Sequence, residues 1–111
     1  MSHRTVPPNI DAYRGPNHIL VSRRNSLSSL RSRVTKLLDS GRWDQVHVHG
    51  LGAAVGLTIS LTAGLVEDSG GALLASASTS TEMLVDRDVQ GDGVIRYNSA
   101  LHVCLRKAVP S

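Results

Sequence analysis

The feature that most constrains this chain is a change of apolar period at Gly50. Before it, Gln45-Val46-His47-Val48-His49 alternates polar and apolar residues strictly. That is the period of a strand with one buried face, Val46 and Val48 on one side and His47 and His49 on the other. After it, residues 51–66 take a helical period: Val55, Ile59, Thr62 and Val66 form one ridge, and Ala54, Thr58, Leu61 and Leu65 its neighbour. A strand that turns straight into a broad apolar helix calls for a layered α/β packing, in which both elements bury their apolar sides together. No charge occurs from Gly50 to Val66, a run of 17 residues. That is the lower limit for a membrane span, but four glycines, several hydroxyls and the lack of a basic flank argue against one. A face this wide predicts burial on two sides, against the sheet and against a partner.

The flanking segments repeat the alternation of periods. Residues 18–22 form a short strand with Ile19 and Val21 on one face. Residues 26–40 form a helix: Ser26 is a suitable N-cap, and Leu27, Leu30, Val34, Leu37 and Leu38 make one stripe. Gly41 can close that helix in the left-handed conformation. Residues 73–85 and 94–106 form two long strands, joined by an acidic, glycine-containing link from Asp86 to Gly93. The order β-α-β-α-β-β predicts an α/β two-layer sandwich, a four-stranded mixed sheet with both helices on one face.

At 111 residues the chain is one domain. Residues 1–15 are expected to be a flexible arm, broken by Pro7 and Pro8, and residues 16–108 the folded domain. The start of the chain carries no apolar stretch of the signal-peptide kind. The single Cys104 excludes an intrachain disulfide and a Cys-rich zinc site, which fits a reducing compartment. Only Tyr13, Trp43 and Tyr97 are aromatic, too few for a base-stacking platform of such rings.

The net charge of +3 conceals a strong segregation. Residues 1–43 carry +6, residues 44–93 carry −6 and residues 94–111 carry +3, and ten of the twelve basic side chains are arginine. Arginine suits bidentate phosphate contact, so a polyanion can bind the basic part despite the small total. Arg23 and Arg24 follow the first strand, Arg96 enters the last, and Arg106-Lys107 ends it. If the loop after strand one and the turn after strand two share a sheet edge, Arg23, Arg24 and the amides near Gly50-Leu51-Gly52 make one anion-binding rim.

Other chemistry is poorly supported. Gly50-x-Gly52-x-x-x-Gly56 follows a strand and opens a helix, as in dinucleotide sites, but the spacing is one residue off and a hairpin follows in place of another βαβ unit. The glycines are equally explained by a tight turn and close packing. His47, His49 and His102 make an incomplete ligand set, and exposed sheet-face histidines are the expected reading. No serine sits in a nucleophile elbow and no paired carboxylates suit acid–base work. No catalytic residue, metal or cofactor is expected.

Three stretches resemble the Alba superfamily, most closely the smaller, p20-type Alba-like subunits of eukaryotic ribonuclease P and ribonuclease MRP. They are residues 46–54 (VHVHGLGAA), residues 78–86 (STSTEMLVD) and residues 95–103 (IRYNSALHV). The resemblance spans about residues 16–107. It implies the strand and helix order already read from periodicity, and an RNA-binding heterodimer with a larger Alba-like subunit. Catalysis would then belong to the RNA, in transfer RNA and ribosomal RNA precursor processing, in nucleus and nucleolus. Arg23 and Arg24 match paired basic residues that Alba proteins use on nucleic acid, and Gly50, Gly52 and Arg96 match positions near the RNA. The acidic link (Asp86, Asp88, Asp92) departs from the basic arm of archaeal DNA-binding relatives, which counts against a chromatin role. Leu51 stands where the larger subunit type has arginine. Two alternatives remain: a general Alba-like DNA- or RNA-binding homodimer, and a small nucleotide-binding enzyme.

Overall fold

A computed structural model describes residues 15–87, 91 and 93–109. The expected N-terminal arm and most of the acidic link, Asp88 and Asp92 included, lie outside the described residues. Four strands and two helices follow in order: β1 (His18–Val21), α1 (Leu27–Asp39), β2 (Gln45–Leu51), α2 (Val55–Asp68), β3 (Leu73–Arg87) and β4 (Gly93–Lys107). The sheet order is β1-β2-β4-β3, with β1 parallel to β2 and the other neighbours antiparallel. This is the expected mixed four-stranded sandwich.

Register brings the apolar alternations together. Ile19 pairs with Val48, Val48 with Val103 and Val46 with Leu105, so one face of three strands becomes continuous. Leu30, Val34 and Leu38 of α1 and Ala54, Leu61 and Leu65 at α2 cover that face and complete the core. Ser26 caps α1 by accepting from the Ser29 amide at 3.2 Å, and Gly41 takes φ 73° just beyond the helix. An Arg31–Asp68 ion pair joins the two helices.

The second helix begins later than its period predicts. Gly50 pairs with both Val21 and Leu101, and Leu51 with Ala100, so ladder pairing extends β2 two residues beyond His49. A single 3₁₀ turn, Gly52–Ala54, then leads into α2. Thr58 and Thr62 are buried because each hydroxyl donates to the carbonyl four residues back, at 2.9 Å. Beyond the Leu51–Ala100 pair, β3 and β4 pair only with each other, from Thr81–Ser99 to Arg87–Gly93. Their hairpin therefore projects past the sandwich.

Candidate nucleic-acid interface

The rim is assembled by strand direction. Because β1 and β2 run parallel as neighbours, their C-terminal ends lie at the same end of the sheet. That end carries the loop holding Arg23 and Arg24, both exposed, and the bend from Gly50 to Gly52. The loop is internally braced: the Ser22 amide donates to Asn25 Oδ1 at 2.7 Å, the Asn25 amide to the Ser22 carbonyl at 2.9 Å, and the Arg24 amide to Ser22 Oγ at 3.2 Å. Two guanidinium groups are thus offered from an ordered turn.

The glycines of the bend have packing duties. A Cβ on Gly50 would stand 2.0 Å from Thr58 Oγ1 and 2.9 Å from the Ala54 carbonyl oxygen, so only glycine lets α2 lie this close to β2. Gly52 has φ 52°, and a Cβ there would meet Asn98 Nδ2 at 3.1 Å. Leu51 between them is half-buried. Gly56 faces open space, so the third glycine of the spacing makes no close approach. The Gly52–Asn98 approach also ties the bend to β4, on which Arg96 is exposed two residues farther out, opposite Leu84. Arg23, Arg24 and the bend therefore share one end of the sheet, and Arg96 lies on the hairpin that leaves that end.

The opposite sheet face, free of helices, carries an arrangement only half legible in the sequence. His49 is 6% exposed, a buried residue where an exposed one is expected. The cause is company: His18 and His47 stack at 4.5 Å between ring centroids, His18 and His49 at 5.1 Å, and His102 meets His49 edge-on at 5.1 Å. Hydrogen bonds run through the cluster. His18 Nδ1 lies 2.9 Å from His49 Nε2, His49 Nδ1 lies 2.9 Å from His102 Nδ1, and His102 Nε2 lies 2.8 Å from Ser80 Oγ. Ser80 Oγ in turn donates to Glu82 Oε1 at 3.1 Å.

That last bond gives the chain its direction. Ser80 spends its only hydrogen on the carboxylate, so it accepts from His102 Nε2–H. His102 Nδ1 is then bare and accepts from His49 Nδ1–H, whose bare Nε2 accepts from His18 Nδ1–H. Burial, then the neighbouring His102, His18 and His47 rings, lower the His49 pKa from the ordinary 6.5 to about 4. Burial and His47 lower His18 as well. Among the described residues, no group of three or more His, Cys, Asp or Glu is arranged to hold a metal ion. Cys104 lies on this face too, its thiol donating to Gln45 Oε1 at 3.2 Å. The alternation at 46–49 puts His47 and His49 on one face; the recruitment of His18 and His102 depends on strand order, which no local pattern encodes.

An apolar groove of about 600 Å³ lies on the helix side. Val55, Ile59, Ala63 and Val66 of α2 form one wall, and Ala75 and Ala77 of β3 belong to the other. Ile59 is 52% exposed. The two ridges of α2 largely part company: Thr58, Leu61 and Leu65 are buried against the sheet, while Val55, Ile59 and Val66 line the groove, with the buried Thr62 at its floor.

No family model matches the chain. Over 108 aligned residues it is 34% identical to ribonuclease P protein subunit p20 of Bos taurus, covering 87% of this chain and 77% of that protein. Identity to the p20 subunit of Homo sapiens is also 34%, and to that of Mus musculus 33%, with the same coverage. Among solved structures, ALBA1 from Trypanosoma brucei superposes with a TM-score of 0.58 at 19% identity, covering 86% of this chain and 73% of that one. Alba from Thermoplasma volcanium superposes with a TM-score of 0.61 at 8% identity, covering 79% of this chain and 96% of that one. The fold is that of Alba proteins, and the chain belongs to the family of ribonuclease P protein subunit p20.

Proposed function

We propose that this chain is a non-catalytic, RNA-binding protein subunit of ribonuclease P and ribonuclease MRP, acting in transfer RNA and ribosomal RNA precursor processing in the nucleus and nucleolus. The observation that carries the reading is the 34% identity to bovine p20 across 87% of the chain. Arg23, Arg24 and Arg96 are assigned to phosphate or sugar contact, with the Gly50-Leu51-Gly52 bend approaching the backbone between them. The parallel β1–β2 pair supports that assignment, since it gathers Arg23, Arg24 and the bend at one end. Residues 16–108 are the RNA-binding domain in this reading, and residues 1–15 an arm.

The partner is a larger Alba-like subunit, seated on the groove between α2 and β3–β4. Its support is an apolar hollow of about 600 Å³ with Ile59 standing half out of the protein. An affinity purification of the full chain that reports both RNA and stoichiometric proteins tests the whole reading. Ribonuclease P RNA together with one Alba-like protein is the expected result. Duplex DNA bound as tightly as that RNA, by a homodimer, would replace this reading with a general nucleic-acid-binding one.

A further inference from the structure

Resting on the RNA-binding reading, we propose that the helix-free face of the sheet is a second RNA-contact surface, along which a phosphodiester backbone runs from Arg106 across the histidine chain toward Arg96. β4 is the track. Arg106, Cys104, His102, Ala100, Asn98 and Arg96 alternate on its outward side, Ala100 alone of them fully buried, and the ten residue steps from Arg96 to Arg106 span ~34 Å, several nucleotides of extended backbone.

Charge complementarity argues for a polyanion. Arginine stands at both ends, Arg106 beside Gln45 and Leu74, Arg96 beside Leu84. Between them, His18 faces the track from β1, His47 and His49 from β2, and His102 from β4. Cys104 of β4 is the other titratable neighbour, held by Gln45. Glu82 of β3 is the one carboxylate of this cluster among the described residues, and it already accepts the Ser80 hydroxyl. Both helices lie behind the sheet, so neither adds a charge here.

The hydrogen-bond chain sets what this face does when an anion arrives. In its resting form each ring of the chain donates to the next group along it, as far as Glu82. One additional proton fits without breaking a bond: it adds at His18 Nε2, or it is shared inward, His49 gaining Nε2–H while His18 keeps only Nε2–H. A second proton on the His18–His49 pair would set two N–H groups against each other. The chain can therefore hold one positive charge, and a phosphate on the face favours that state. RNA docking here is therefore coupled to proton uptake from solvent.

The test uses the full chain with its partner and ribonuclease P RNA. Affinity is measured near pH 5.5 and near pH 8, where histidine charge differs most readily. Proton uptake is measured calorimetrically in two buffers of different ionisation heat. The expected results are uptake of up to about one proton per RNA bound, and several-fold tighter binding at the lower pH. His18→Gln/His49→Gln keeps hydrogen-bonding groups at both positions and removes the two rings that share the added proton, so it abolishes the uptake. His18→Gln alone, at the outer end of the chain, reduces the uptake should the double variant fold poorly. Arg106→Gln weakens RNA binding ~3-fold or more through one lost phosphate contact. Zero proton uptake with RNA affinity unchanged in these variants overturns the proposal, while loss of binding in Arg23→Ala/Arg24→Ala would still uphold the rim. A protein subunit released by Arg106→Gln, with RNA affinity intact, also overturns it in favour of a protein occupant. No RNA binding by the native complex at either pH defeats both readings.

Discussion

At the scale of single residues, two side-chain environments decide much of the behaviour. Gly50 is required by contact, not by dihedral angle, since a Cβ would press on Thr58 Oγ1 at 2.0 Å and on the Ala54 backbone at 2.9 Å. Gly50→Ala should destabilise the fold by about 2 kcal/mol, the usual cost of overpacking. Adding Thr58→Ala should recover part of that loss, because the hydroxyl can be removed and the backbone cannot. Chemical denaturation of the three variants checks the order. His49 gives the pH dependence. Its pKa in the folded protein is about 4, below the 6.5 of an unfolded chain, so between those values the unfolded state binds the proton that the native ring refuses. Stability is therefore fully present above pH 6.5 and lost as pH falls toward 4, by at most ~3 kcal/mol from this residue. Denaturation midpoints measured across that window should fall on acidification, and His49→Gln should flatten the decline.

At the scale of elements, the legible and the illegible parts divide by range. The pairs Val46–Val48 and Ile19–Val21, and the stripe Leu30–Val34–Leu38, encode their burial locally, and each is buried as its period requires. The order β1-β2-β4-β3 is not encoded that way, because β4 must travel past β3 to reach β2. The burial of His49 was illegible for the same reason: it follows from His18 and His102 on two other strands. The helix starts later than its period implies because Leu51 continues a helical period while its backbone remains in the ladder. For α2 the charge-free sequence predicts two buried sides, and one of them, lined by Ile59, is still open. Ile59→Asp should therefore leave the fold within about 0.5 kcal/mol of the native protein, since the side chain lies outside the core. The same change should abolish stoichiometric capture of the proposed Alba-like partner by putting a charge into the proposed apolar interface. Thermal unfolding together with co-purification separates the two effects. Destabilisation with the partner still bound would argue that the groove belongs to this domain's own core.

At the scale of the whole molecule, charge is distributed so that binding cannot be inferred from the total. Residues 1–43 hold a surplus of +6 and residues 44–93 a deficit of −6, yet the fold does not average them. β1 and its loop bring Arg23 and Arg24 to the end of the sheet where the neutral bend from Gly50 to Gly52 also lies. Asp68, one of the nearest acidic residues in sequence after that bend, is instead tied to Arg31 between the helices. In the proposed RNA contact such a rim responds to salt as a few discrete phosphate contacts, not as a molecule of charge +3. With about four phosphate contacts to single-stranded segments, the logarithm of affinity should fall against the logarithm of salt with a slope near −3. Arg23→Ala/Arg24→Ala should reduce that slope by about 1.4 and weaken binding at low salt, with the unfolding transition unchanged. A salt titration of the native and double-variant complexes measures both quantities. A native slope near zero would remove the electrostatic rim from the mechanism and leave RNA recognition to shape and base contacts alone.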